Sequence, residues 1–253
     1  MSDSGRSAAI VVRALHEPRE MDEAVALQKS IWGFEDIDLL PARLFIVATK
    51  IGGQVFGAYD GARMTGYCLS IPGLKPGGRQ YLHSHMLGVL PEYRDRGVGK
   101  QLKLAQRGDA VARGVDLMEW TFDPLQVKNA FFNVERLGCV VRRLIRNQYG
   151  ITSNKFDLGM PTDRCTAEWW MASERVRRVL AGEAPRRPSI EGRVEVALAF
   201  PEWRVSDPGR ARAEQARISE GLESAFHEGL AVVGVERGEA SGTYLLGRWE
   251  PEE

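Results

Sequence analysis

The stretch Tyr81–Arg113, YLHSHMLGVLPEYRDRGVGKQLKLAQRGDAVAR, constrains the fold of this chain more than any other. It reads as a strand, a turn rich in Arg and Gly, and a helix. Strict alternation predicts that His83, His85, Leu87 and Val89 face one way and Leu82, Ser84 and Met86 the other. Pro91 ends the strand, because proline donates nothing to a sheet ladder. Arg94-Asp95-Arg96-Gly97-Val98-Gly99 then opens a helix. Its expected sheet-facing positions are Val98, Leu102 and Ala105, with Lys100, Lys103 and Arg107 toward solvent. Two positions without Cβ at a helix start let an anion come close to the first backbone N–H groups. The spacing therefore predicts a phosphate site.

Before this stretch, residues 9–13 read as a short strand and Glu17 to Trp32 as a helix ended by Gly33. Pro41 opens a second helix running to Lys50. Gly53 to Tyr59 and Arg63 to Ile71 are strands joined by the turn signal Asp60-Gly61, and 72–78 reads as a loop. Between the first two helices lies an acidic and apolar loop with Glu35, Asp36 and Asp38, which could receive a cationic amine or simply be solvated. After the stretch, a strand is expected at Leu117 to Phe122 and a helix at Lys128 to Leu137, ended by Gly138. Strands follow at 139–144 and 165–171. Trp169 and Trp170 there must face opposite ways, one into the core. Ser173 caps a helix to Leu180, and 181–188 is a linker. Beyond it come a strand at 193–199, a long helix opened by Asp207 and Pro208 and closed by Gly229, and a hairpin of 230–236 with 243–249. One faint internal echo stands out: a helix end, a Gly and an apolar strand occur at ERLGCVVRR and again at FHEGLAVVGV.

Lysine plus arginine balance aspartate plus glutamate at 34 each, so no basic field argues for a nucleic-acid partner. The 253 residues contain no apolar run near the ~20 needed to cross a bilayer, so no membrane partner is expected. The first residues have too short an apolar region for a signal peptide, and residues 1–7 are expected to be disordered. Cys68, Cys139 and Cys165 are odd in number and sit in apolar settings, which suits buried thiols in a reducing cytoplasm. No spacing of His, Cys, Asp or Glu predicts a metal site.

The segment Val89-x-Pro91-x-Tyr93-Arg94-x-x-Gly97-x-Gly99 resembles the V-x-P-x-x-R-x-x-G-x-G signature of the GNAT superfamily of acyl-CoA N-acyltransferases. The order of elements over residues 9–171 resembles it too. The resemblance implies an α/β (α+β layered) fold with a mixed, mostly antiparallel central sheet flanked by helices, here with a small α/β extension. It implies that the CoA pyrophosphate rests on the turn, with Gly97, Val98 and Gly99 giving access and Arg94, Arg96 and Lys100 adding charge. It implies that pantetheine pairs with the strand at Leu87 and Val89, and that the Leu87 N–H polarises the thioester carbonyl. The run His83-x-His85-x-Leu87 is similar to the paired-histidine strand of the arylalkylamine N-acetyltransferases, which assigns His83 and His85 to proton removal. In a regular strand they stand ~13 and ~7 Å from Leu87. Many members carry a general-acid Tyr four residues before the Gly that ends the next helix, and here that position is Val134. Asn129 and Asn133 on the same helix could hydrogen-bond pantetheine, and Tyr149 could stand in for the acid.

The reading is thus an acyltransferase core at 1–171 and an extension at 172–253. The expected reaction is direct transfer of an acyl group, acetyl first, from acyl-CoA to a small-molecule primary amine, without a metal. A succinyl-CoA or other acyl-CoA dependent amino-acid N-acyltransferase is the second reading. It would need a cation near the thioester, from Arg142, Arg143 or Arg146. A non-catalytic acyl-CoA-binding regulatory module is the third. The extension could pair across a homodimer.

Overall fold

A computed structural model describes residues 9–150, 152–155 and 158–251. The expectation for residues 1–7 lies outside the described residues. The chain divides into two compact units, one formed by the described residues of Met1–Val115 and Ser153–Phe156, the other by those of Asp116–Thr152 and Asp157–Glu253.

The first unit runs β1 (Val11–Ala14), α1 (Pro18–Trp32), a 3-10 turn at Asp36–Asp38, α2 (Ala42–Lys50), β2 (Gln54–Asp60), β3 (Arg63–Leu74), β4 (Gln80–Val89), a second 3-10 turn at Pro91–Tyr93, and α3 (Val98–Ala112). Its strands lie in chain order, each antiparallel to the next. The start of α1 is fixed by its own sequence. Pro18 supplies a helical φ, and Glu20 accepts hydrogen bonds from the His16 and Glu17 amides, 2.9 Å each, while pairing with Arg13. Gly33, at φ 71°, ends the helix. The apolar stripe of α1 and α2 places Met21, Ala24, Ile31 and Phe45 over Tyr67 and Leu69 of β3, all fully buried or nearly so.

The loop expected at 72–78 is shorter than predicted, because its first three residues are strand. Pro72 and Gly73 continue β3 opposite Leu82 and Tyr81 of β4. The pairing of β2 with β3 stops at Ser70, so from Ile71 onward β3 has β4 on one side only. A proline there leaves no ladder donor unmet.

The second unit runs β5 (Leu117–Phe122), α4 (Val127–Phe131) continuing as a π turn at Phe132–Arg136, β6 (Val140–Ile145), β7 (Arg164–Trp170), α5 (Glu174–Leu180), β8 (Gly192–Ala197), α6 (Phe200–Ser206), α7 (Pro208–His227), β9 (Leu230–Arg237) and β10 (Ser241–Arg248). Their order across the sheet is β5-β7-β6-β9-β10-β8, with every pairing antiparallel. Caps at Ser173 and Asp207 form as the sequence predicts, accepting from the Val176 and Arg210 amides at 3.3 and 3.0 Å. Trp169 is the fully buried member of the tryptophan pair. It meets Trp120 edge-on at 5.9 Å and donates to the Leu137 carbonyl at 2.7 Å. Trp170 is half-buried, 6.1 Å from Trp249. Neither α6 nor the π turn is foreseen by periodicity. The three cysteines are free and buried, and no described helix is long and apolar enough to cross a membrane.

Candidate active site

Strand β4 is not regular. Ser84 pairs with Ser70 and Met86 with Leu69, so His85 is an extra residue on the β4 side. A bulge of this kind turns every later side chain to the opposite face. The contacts show the reversal. Ser84 reaches α3 through Gln106 at 3.1 Å, and Leu87 also lies against α3, its Cδ2 3.6 Å from where a Cβ on Gly99 would stand. In an unbroken strand those two positions would point apart. The expectation that His83, His85 and Leu87 share one face is therefore corrected: His83 points away from α3 and Leu87 toward it. The two histidines remain neighbours, with ring centroids 5.9 Å apart. His83 is half-buried and His85 is exposed. Desolvation by the surrounding protein still lowers the pKa of His85 below the ordinary imidazole value, which favours the neutral ring a proton acceptor needs.

After Val89 the chain makes the Pro91–Tyr93 turn and enters α3 through two left-handed residues, Asp95 at φ 61° and Gly97 at φ 80°. Gly97 is the N-cap of α3, and no side chain caps this helix. A Cβ at Gly97 would meet nothing within 4 Å. The start of α3 thus carries neither a capping side chain nor a side chain at Gly97, as an anion cradle requires. The basic side chains play unequal parts. Arg94 Nε donates to the Val89 carbonyl at 3.2 Å, tying the turn to the end of β4. Arg96 stacks on Tyr93 at 5.2 Å, and Tyr93 donates to Asp60 at 2.9 Å. Lys100 stands in the first turn of α3, partly exposed.

Beneath α3 lies a polar chain that sequence reasoning missed. Lys103, expected on the solvent side, is only 3% exposed and donates to Ser84 Oγ at 2.9 Å. The buried stripe of α3 is Val98, Leu102, Lys103, Gln106 and Ala110: Val98 and Leu102 are buried as predicted, Ala105 is only half-buried, and Lys103 and Gln106 join them. Ser84 donates in turn to Gln106 Oε1 at 3.1 Å, and Gln54 ties the Gln106 carbonyl and Asp109 together at 2.8 and 2.7 Å. This network grips β4 at the residue before the bulge. Lysine and glutamine at helical spacing gave no sign of it, since the same residues suit a solvated face.

On the other face of β4, Trp32 and Ile31 occupy the space of a missing side chain at Gly88, where a Cβ would fall 2.6 and 2.7 Å from them. Trp32 stacks with Phe34 at 5.7 Å. The following loop is held rather than loose. Asp38 accepts from the Ser153 amide at 2.9 Å and from its hydroxyl, which lowers the carboxyl's pKa, and Asp36 pairs with Lys29 at 2.5 Å. The Lys155 amide donates to the Trp32 carbonyl at 3.1 Å.

The remaining candidates belong to the second unit. Asn129 is exposed on α4. Asn133 is buried in the π turn; its oxygen accepts from Trp120 at 3.3 Å, and its Nδ2 has no partner among the described residues. Val134 is fully buried. The Tyr149 hydroxyl shares a hydrogen bond with Thr121 at 2.9 Å. The three arginines are committed to carboxylates: Arg142 to Glu168 at 2.6 Å, Arg143 to Glu119 at 2.5 Å, and Arg146 to Glu223 at 2.7 Å.

No family model matches the chain, and no curated protein matches it. Solved structures do. A protein of Desulfovibrio desulfuricans assigned to the GNAT-family acetyltransferases matches with a TM-score of 0.51 at 16% identity, covering 65% of this chain and 100% of its own. The yncA protein of Salmonella typhimurium, assigned as an acetyltransferase and solved with its cofactor acetyl-CoA, matches at 0.50 and 14% identity, covering 66% and 96%. A GNAT-family acetyltransferase of Streptococcus pneumoniae matches at 0.50 and 17% identity, covering 63% and 98%. At such identities the likeness establishes the fold, and that fold is the one shared by these acetyltransferases.

Proposed function

We propose that this chain, whose fold is that of the GNAT acetyltransferases, moves an acyl group from acyl-CoA to a primary amine by direct attack. The observation that carries the reading is the uncapped start of α3 behind Gly97, placed directly after β4 by the V-x-P turn. The residues there fit a pyrophosphate. No side chain caps α3, the position of a Cβ at Gly97 is open, and Arg96 and Lys100 lie within three residues of Gly97 along the chain. Arg94 works mainly as a brace of the turn. The yncA structure with acetyl-CoA supports the same cofactor class here.

In this reading the Leu87 N–H polarises the thioester carbonyl, and the Val89 main chain pairs with the pantetheine arm. The amine nitrogen attacks the carbonyl carbon, the carbon–sulfur bond breaks, and CoA leaves as thiolate. His85, neutral at pH 7 because its pKa is lowered, takes the proton the amine must lose, through water. His83 beside it passes that proton on. Val134 offers no acid, so the thiolate takes its proton from solvent. Acetyl is favoured over a carboxylated acyl group, because Arg142, Arg143 and Arg146 are each paired with a carboxylate. Residues 1–171 form the acyltransferase core and 172–253 the extension. Buried free thiols suit a reducing cytoplasm.

The test is free-thiol release from acetyl-CoA and succinyl-CoA against a panel of primary amines. Amine-dependent release with acetyl-CoA is expected. CoA binding without turnover for any amine would return the protein to a non-catalytic binding module, and loss of CoA binding altogether would remove the reading.

A further inference from the structure

The echo between ERLGCVVRR and FHEGLAVVGV is structural. In the first copy, β5 leads through α4 and the π turn to β6 and then β7, and both β5 and β6 pair with β7. In the second, β8 leads through α6 and α7 to β9 and then β10, and both β8 and β9 pair with β10. The sheet order β5-β7-β6 is followed by its mirror, β9-β10-β8.

Four details agree residue by residue. Each helix is followed by a left-handed glycine, Gly138 at φ 83° and Gly229 at φ 79°. Val141 and Val232 both stand three residues after their glycine, and they are paired with each other across the β6–β9 seam. A two-fold axis relating the copies requires that pairing of equivalents. The extra residue of the β6–β7 ladder is Arg142 and that of the β9–β10 ladder is Val233, each four residues after its glycine. β6 and β9 run antiparallel, as a dyad through the sheet demands.

Specific contacts close the seam. The Arg175 guanidinium, 5% exposed, donates to the Gly138 carbonyl of the first copy at 3.0 Å and to the Val233 carbonyl of the second at 2.8 Å. Glu135, at the end of the first helix, accepts from the Val235 amide of the second copy at 2.8 Å and pairs with Arg187 at 2.8 Å. α5, which carries Arg175, packs so tightly on Gly138 that a Cβ there would lie 3.1 Å from Val176 Cα.

We propose that β8, α7, β9 and β10 are a built-in partner: a half-copy of the fold that takes, within one chain, the place a second subunit would take at the β6 edge. An open β6 would present unpaired backbone groups to other chains; here β9 pairs with it at Val141, and the bulges and Arg175 fix the register.

Hydrogen exchange on the full chain tests this, over about a hundredfold range of protein concentration. The β6 amides facing β9 are expected to exchange about a hundredfold or more slowly than free amides, at a rate independent of concentration. Arg175→Ala, which orphans two buried carbonyls, is expected to speed exchange in β6 and β9 while leaving β2 to β4 unchanged. Fast exchange at β6 in the wild type, or protection that grows with concentration, would overturn the proposal. An Arg175→Ala chain that unfolds as a whole leaves the wild-type arms to decide.

Discussion

At the scale of single residues, the extra residue in β4 matters most. His83, His85 and Leu87 read as one face because an alternating pattern cannot show an inserted residue; His85 looks like any other strand position until the Ser70–Ser84 and Leu69–Met86 pairs are seen. Lys103 was illegible for a different reason. Its long stem can lie along apolar surface, and the Ser84 hydroxyl accepts from its buried ammonium. His85→Ala is expected to lower kcat/KM about 10²–10⁴-fold with CoA affinity unchanged, read by steady-state kinetics beside a CoA titration. Because desolvation by the surrounding protein depresses the His85 pKa, the acid limb of the wild-type rate profile falls below the ordinary histidine value of 6.5. That limb is lost in the variant. A profile unchanged by the substitution contradicts the role. Ser84→Ala leaves the buried Lys103 short of one acceptor and is expected to cost about 1–3 kcal/mol, measured by denaturant unfolding.

At the scale of elements, the sequence was most informative where backbone chemistry leaves few choices. Gly33, Asp60-Gly61, Pro91, Ser173 and Asp207-Pro208 all mark real boundaries. The π turn and α6 were hidden, since neither periodicity nor capping residues announce them. Pro72 misled because a proline breaks a central strand but not the unpaired side of an edge. Two expectations belong here. Gly97→Ala forces a side chain into φ 80° and is expected to cost about 1–2 kcal/mol and to weaken CoA binding; equal affinity in a titration would count against the cradle. Glu20 anchors α1. Burial alone would raise its pKa, but the Glu17 and His16 amides and Arg13 outweigh that and hold it at about 2, against 4.5 in the unfolded chain. The stabilisation is complete above pH 4.5 and is lost as pH falls toward 2. Glu20→Gln is expected to flatten that part of the stability profile in acid titrations followed by circular dichroism.

For the whole molecule, the V-x-P and R-x-x-G-x-G pattern was enough to indicate the fold, because its strand, turn and helix have to be built in that order around an anion cradle. Most elements of the second unit were legible, but the repeat within it barely was. Two copies that share a topology, a left-handed glycine and a bulge share almost no side chains, since packing asks only for apolar residues of fitting size. The glycines were the trace that survived, because backbone at φ near 80° tolerates little else. The central claim is that the α3 turn holds the CoA pyrophosphate beside a reactive β4. The most direct measurement is a calorimetric titration of the full chain with CoA and, separately, with pantetheine, which lacks the pyrophosphate. CoA is expected to bind about a hundredfold more tightly or better, with the difference shrinking in Gly97→Ala. Equal affinities, or no binding of CoA, would contradict it.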